Sequence, residues 1–232
     1  MIIGIMQPYF FPYLGYWQLI SAVDKYVIYD DVNYIKGGWI NRNRILVNGC
    51  DHYFNLPIIG ASSFKKINEI KVDLDERKTG KRIRMIEGAY CKAPYYKNVI
   101  PLLIDIINCK ETELSTYLTY SIKKICEWLE IETEIMLSSS IEKNNNLKSQ
   151  EKVIDICQRL GATCYYNAIG GKEMYSKKDF ELNGIELKFL EKKKTIYRQF
   201  GDEFVDNLSI IDVMMFNSNN TIKEMISQYT LV

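Results

Sequence analysis

Apolar and polar positions follow two different periods along this chain, and the switches between them divide it into elements. Ile2 to Met6 is a short apolar, β-branched run that stops at Gln7-Pro8, as a buried strand does where proline ends the hydrogen-bonded ladder. Leu14, Trp17, Leu19, Ile20 and Val23 then recur at roughly helical spacing, and after Asp24 a second apolar run, Tyr26-Val27-Ile28-Tyr29, has strand character. The opening of the chain therefore predicts strand, helix, strand. Residues 32 to 50 mix polar, aromatic and basic types, with Gly37-Gly38 and Asn48-Gly49 as turn signals. The second of these predicts a hairpin that pairs Arg44-Ile45-Leu46-Val47 with Tyr53-Phe54-Asn55-Leu56.

From Thr79 to about Leu129 the period is helical, broken at Ala93-Pro94 and loosened near Lys110, which predicts three helices with stripes such as Val99, Leu102, Leu103, Ile106 and Ile107. Glu134 to Leu137 reads as a strand, and Ser138-Ser139-Ser140 and Asn144-Asn145-Asn146 as loops. A helix follows with the stripe Val153, Ile154, Cys157 and Leu160, ended by Gly161. Thr163 to Tyr166 is a strand, Ile185 to Leu190 alternates like a half-exposed one, and Leu208 to Tyr229 predicts two helices around Asn217 to Asn220. This alternation predicts an α/β fold: one domain over residues 1–232 with a mainly parallel, Rossmann-like sheet flanked by helices, and a central helical subregion at 77–130.

Composition narrows the partners. Thirty basic and twenty-nine acidic residues leave a net charge of +1, so no chain-wide field draws in nucleic acid or an anionic membrane surface, although a local basic pocket is compatible with it. The six cysteines stand singly, without a CxxC or a histidine cluster, and read as reduced, mostly buried apolar residues with no metal site. The start has no basic leader or cleavage site, and no stretch reaches the roughly 20 apolar residues of a membrane span, so the cytoplasm is the expected location.

The candidate chemistry gathers in four places. Gln7 to Tyr16 follows the first strand, where open α/β sheets bind ligands, and Gly15 lets backbone approach at the next helix. Its five aromatics, Tyr13 included, also suit a packed scaffold, whereas Gln7 is less easily explained by packing. Asp30 and Asp31 end the second strand, where side-chain alternation sends one to the core and one to the cleft. Asp31 is the favoured functional member, as a base or a magnesium ligand, against the alternative of a turn cap or an ion pair with Arg42 or Arg44. Lys36, Asn41, Arg42, Asn43 and Arg44, interleaved with Tyr34 and Trp39, supply planar cations for phosphates, amides for hydroxyls and rings for stacking, unless they form a solvated hairpin. Strand alternation lets only one pair, the asparagines or the arginines, reach a ligand. The loop Asn167 to Lys172, with Gly170 and Gly171, offers backbone amides and Lys172 to an anion, or is a plain strand-to-helix turn. Arg198 beside Lys192 to Lys194 is a further phosphate contact or a solvated charge run. His52 is the one histidine, hence a candidate base at neutral pH or a surface residue.

Three linked segments, Gln7 to Tyr16, Ala22 to Val32, and Trp39 to Ile45, resemble in order and spacing the WbqC-like family. The likeness extends through Ile67 to Ile70, Ala93 to Tyr96, Leu160 to Thr163 with Gly170-Gly171-Lys172, and Leu208 to Asp212. Many members have His-Gln where this chain has Met6-Gln7, so no role of that histidine transfers. The resemblance implies an enzyme of surface-polysaccharide (O-antigen) assembly that forms an amide by acylating or aminoacylating a nucleotide-linked amino sugar, glycine being one candidate group. Asp31 or His52 would then accept the proton, and Arg42, Arg44 and Lys172 would hold phosphates. The cofactor stays open, with ATP and magnesium as candidates. Two other readings remain: an adenylate-forming or nucleotidylyltransferase-like enzyme, whose marker histidines are missing here, and a non-catalytic protein that binds a sugar nucleotide or a carrier-bound intermediate.

Overall fold

Short apolar runs separated by helix-period segments give ten strands and eight α-helices in the computed structural model, which describes residues 1–232. In chain order the strands are β1 (Ile2–Met6), β2 (Lys25–Ile28), β3 (Arg42–Val47), β4 (Cys50–Asn55), β5 (Ile58–Ile59), β6 (Lys71–Val72), β7 (Glu134–Leu137), β8 (Cys164–Ala168), β9 (Glu186–Lys192) and β10 (Tyr229–Leu231). The helices are α1 (Leu14–Ser21), α2 (Glu76–Tyr90), α3 (Tyr96–Ile107), α4 (Leu114–Leu129), α5 (Ser149–Arg159), α6 (Lys177–Leu182), α7 (Ile210–Phe216) and α8 (Asn219–Ile226).

Six strands form the main sheet in the order β10-β9-β8-β1-β2-β7, parallel throughout except for the β9–β10 edge pair. This is the mainly parallel α/β architecture that the alternation of periods predicts. Strand side chains alternate between faces, so each strand feeds two apolar layers. Ile3, Ile5, Val27, Tyr165, Leu187 and Phe189 pack against α5 and α6 on one face. Tyr26, Ile28, Tyr166 and Leu190 join the larger core on the other, with α1, α4, α7 and α8. The core residues of α2, α3 and α4, including Tyr90, Leu103 and Ile122, belong to that same larger core rather than to a separate one.

The long connection between β2 and β7 carries the hairpin β3–β4 and helices α2 to α4. At the hairpin tip Val47 pairs with Cys50, and Asn48 and Gly49 both take positive φ (51° and 79°), the two-residue turn that an Asn-Gly pair favours. A buried brace fixes the hairpin to the rest. The Asp212 carboxylate accepts from Tyr90 Oη (2.9 Å), Tyr197 Oη (2.7 Å) and Gln199 Nε2 (2.6 Å), and the Tyr90 oxygen accepts from the Leu46 amide (2.9 Å). Burial raises the Asp212 carboxyl above its ordinary range, and those three hydrogen bonds oppose it.

Some elements go beyond the periodic pattern. The pairs β5–β6 and β9–β10 involve two- and three-residue strands held by tertiary pairing rather than by any local repeat. The six cysteines are all free, but Cys50 and Cys91 are exposed and only Cys126, Cys157 and Cys164 are buried, because the first two fall on a hairpin tip and a helix end. No helix is long and apolar enough to cross a membrane.

Candidate functional site

The chain runs outward from β1 through β2 to β7 and then returns to the other side of β1 to add β8, β9 and β10. Where strand order reverses in this way, the connections leave the two central strands in opposite directions and a crevice opens at their carboxyl ends. A cleft of about 690 Å³ lies there. Met6 and Gln7 from the end of β1 and Asn167 and Ala168 from the end of β8 form its floor, with Tyr29 just past β2.

The segment after β1 is clamped into an uncommon shape. Phe11 has φ 44°, a left-handed conformation that a bulky residue adopts only when its surroundings hold it there. The Asn43 amide donates to the Phe10 and Phe11 carbonyls (3.1 and 2.8 Å), and Ser209 Oγ also donates to that of Phe11 (2.8 Å). Trp17 Nε1 and the Ile210 amide donate to the Pro12 carbonyl (both 3.0 Å). Phe10 and Phe11 are fully buried, so they are scaffold, while Tyr9, Tyr13 and Tyr16 reach the cleft. Gly15 is required locally: a methyl group there would fall 2.5 Å from the Tyr13 ring. Gln7 lines the cleft, half-buried.

The hairpin side of the cleft separates the five donors expected there. Asn43 and Arg44 both line the cleft, so the reach is one asparagine and one arginine rather than a like pair. Asn43 is buried and spent on the Phe10–Phe11 clamp. Arg44 Nη1 binds Asp51 (2.8 Å), its guanidinium lies 5.7 Å from the Trp39 ring centre, and its buried Nε has no partner. Asn41 does not line the cleft; it accepts from Tyr34 Oη (2.6 Å) and donates to the Leu56 carbonyl (3.1 Å). Arg42 is committed to the 37–38 turn, donating to the Gly37 and Gly38 carbonyls, and lies 4.6 Å from the Tyr53 ring centre. Trp39 lines the cleft, whereas Lys36 is exposed beside it.

On the opposite side β8 runs into a 3-10 turn, Ile169–Met174. Asn167, Gly170 and Gly171 line the cleft as a group. A methyl group at Gly171 would lie 2.5 Å from Asn167 Nδ2, so this glycine is what admits the buried asparagine side chain. Lys172 and Arg198 are exposed and lie outside the lining. Met174, Tyr175 and Asn207 join the lining without having been singled out from the sequence, as do Tyr9, Tyr16 and Tyr29. The tyrosines of the opening motif and the residue ending β2 carry a positional signal in the sequence; Asn207 carries none, being brought in from far along the chain.

Charge is sparse inside. The lining holds no carboxylate, imidazole or thiol, and Arg44 is its one formal charge. Burial raises the pKa of Tyr9, Tyr13, Tyr16, Tyr29 and Tyr175, so these phenols stay protonated, and the Tyr16 hydroxyl donates to the Gln7 carbonyl (3.1 Å). Neither expected base is in the lining. His52 is exposed on β4. Asp30 and Asp31 are both buried, because the chain bends after β2 instead of continuing the strand alternation. Asp30 accepts from the Ser139 amide and hydroxyl (2.9 and 2.6 Å). Asp31 accepts from Ser138 Oγ (2.7 Å) and pairs with Lys143 (3.0 Å) and Lys152 (2.8 Å), not with Arg42 or Arg44. Burial alone would raise Asp31, but the hydrogen bonds from Lys152, Ser138 and Lys143 outweigh it and hold the carboxyl below its ordinary range. Lys152 Nζ also sits 5.3 Å from the Tyr29 ring centre, so this charge cluster backs the cleft wall without entering it. With this donor set a divalent cation has no carboxylate ligand on the lining and would depend on the oxygens of a bound phosphate.

Comparison with known proteins adds two findings. A family model described as the WbqC-like protein family matches residues 7–224, a span that contains every hydrogen-bonding group named above on the cleft lining. A protein of Mycobacterium tuberculosis described as uncharacterized is 28% identical over 219 residues, which cover 93% of each chain. No solved structure matches.

Proposed function

The chain belongs to the WbqC-like protein family, and from that premise and the geometry of the cleft we propose that it transfers an acyl or aminoacyl group, glycine being a candidate, to the amine of a nucleotide-linked amino sugar. The observation that carries the reading is the cleft itself. It is of a size to enclose such a ligand, and it is lined by stacking rings, amides and a single guanidinium rather than by acids. Rings suit a base or pyranose face, the Gln7 carboxamide suits hydroxyls, and Arg44 with the backbone of Gly170 and Gly171 suits a phosphate.

The absence of a carboxylate or imidazole from the lining shapes the mechanism. The amine nitrogen attacks the carbonyl carbon of a donor that arrives already activated, the bond from that carbon to its leaving group breaks, and the amine proton departs with the leaving group or to water. The protein contributes orientation and neutral hydroxyl donors near the developing oxyanion. This assigns Asp31 to the wall behind the cleft and gives His52 no part in the reaction.

The test is to incubate the purified protein with amino-sugar nucleotides and with glycine, ATP or preformed acyl donors, and to follow product mass. Gain of an acyl group on the sugar supports the proposal; an unchanged sugar with every donor overturns it. The position of Gly15 at the start of α1, directly after β1, favours adenylate formation or nucleotidyl transfer as the second reading. That reading predicts pyrophosphate release, which acyl transfer from a preformed donor does not.

A further inference from the structure

Large apolar side chains stand exposed around the mouth of the cleft on three separate segments. Ile35 is 53% exposed, Trp39 39% and Met174 67%, and all three also line the cleft. Phe64 is 93% exposed. The turn that carries it is tied beside the segment leading to Ile35, where Asn33 and Lys66 form an antiparallel bridge and the Tyr34 amide donates to the Lys65 carbonyl at 2.9 Å. Single exposed apolar residues are ordinary, but a group of them around a ligand opening marks an interaction surface.

The charges among them are predominantly of one sign. Lys36, Lys65, Lys66 and Lys172 lie on the same three segments, all exposed, against Glu173 alone. Among the other carboxylates on neighbouring segments, Asp51 pairs with Arg44 and Asp206, next to the cleft-lining Asn207, pairs with Lys192, while Glu69 is exposed and accepts the Lys66 amide. Since the whole chain carries a net charge of only +1, this is a local concentration of positive charge. Aromatic and aliphatic side chains interleaved with lysines whose stems can lie along them form the chemistry of a membrane-interface surface. A second copy of the chain is a poor occupant, because a two-fold contact brings the same patch against itself and would oppose lysine to lysine.

We propose that the mouth of the cleft docks on an anionic bilayer surface, with Phe64, Ile35, Trp39 and Met174 entering the headgroup layer and the four lysines resting on anionic headgroups. The docking is peripheral and independent of the reaction assigned to the cleft. Its consequence is that the cleft opens toward the membrane plane.

The full-length protein is sedimented with vesicles of phosphatidylcholine alone and of phosphatidylcholine with about one-third phosphatidylglycerol. Each basic residue at such a surface raises partitioning by about fivefold, so binding to the anionic vesicles is expected to be at least about tenfold tighter, with a blue shift of tryptophan emission from Trp39. Phe64→Ser lowers binding by several-fold, and Lys65→Glu with Lys66→Glu brings it to the level of neutral vesicles. Leu182→Ser, which removes a comparably exposed side chain (76%) at the far end of α6, leaves it unchanged. Phe64 is so exposed that its loss does not disturb folding. Equal binding to both vesicles, equal effects of Phe64→Ser and Leu182→Ser, or a dimer in light scattering that Phe64→Ser abolishes without any vesicle binding would each overturn the proposal.

Discussion

The aspartate that ends the second strand region shows how much a residue's role depends on its neighbours. Asp31 neutralises part of a buried pair of lysines, and removing its charge leaves Lys143 and Lys152 without a counter-ion. Asp31→Asn is therefore expected to lower stability by about 3–5 kcal/mol in denaturant titration. The pH dependence follows from the depressed carboxyl. Its folded pKa lies below the ordinary value of 3.8, so its contribution is fully present above that value and disappears as the pH falls through the folded pKa. The wild type should lose stability in that acid window, and the Asn variant should show a smaller loss there. Two substitutions on the hairpin give the contrast. His52→Ala, on an exposed strand position, should change neither stability nor turnover beyond about twofold. Arg44→Ala should weaken binding of a nucleotide sugar by about ten- to a hundredfold in calorimetry, the scale of a charge-assisted hydrogen bond, while leaving the fold intact.

Among the elements, the turn from β1 into α1 is the one whose shape and function are most tightly joined. Phe11 keeps its left-handed backbone because side chains from β3 and from the start of α7 bind its carbonyl. Tyr13 folds back over α1 only because Gly15 has no side chain. Gly15→Ala should push the Tyr13 ring from its place: ligand affinity is expected to drop by about tenfold or more, with only a modest fall in melting temperature. The Asn48-Gly49 hairpin was legible from two letters, since few residues other than asparagine and glycine accept successive positive φ values. The edge strand β10 was not, because three residues carry no period and their pairing partner lies in β9.

For the molecule as a whole, the helical stretch between β2 and β7 shares one apolar core with α1, α7 and α8. Residues 77–130 supply 14 of the 45 residues of that core, so thermal unfolding followed by far- and near-ultraviolet dichroism should give one coincident transition. Two resolved transitions would show that the helical stretch is an independent unit.

By itself the sequence determined most of the elements, the α/β class and the loop after β1 as a wall of the cleft, because hydrophobic period, turn chemistry and strand-end position are local properties of neighbouring residues. Only the tertiary structure decided which polar residues line that cleft. Asn41, Asn43 and Arg42 turned out to hold backbone in place, Asp31 to bind two lysines from a distant loop and helix, and Lys172 and Arg198 to point to solvent. Asn207 and Tyr175 entered from far along the chain. A side chain's direction and partners are set by packing between segments remote in sequence, and no periodicity of either segment records it.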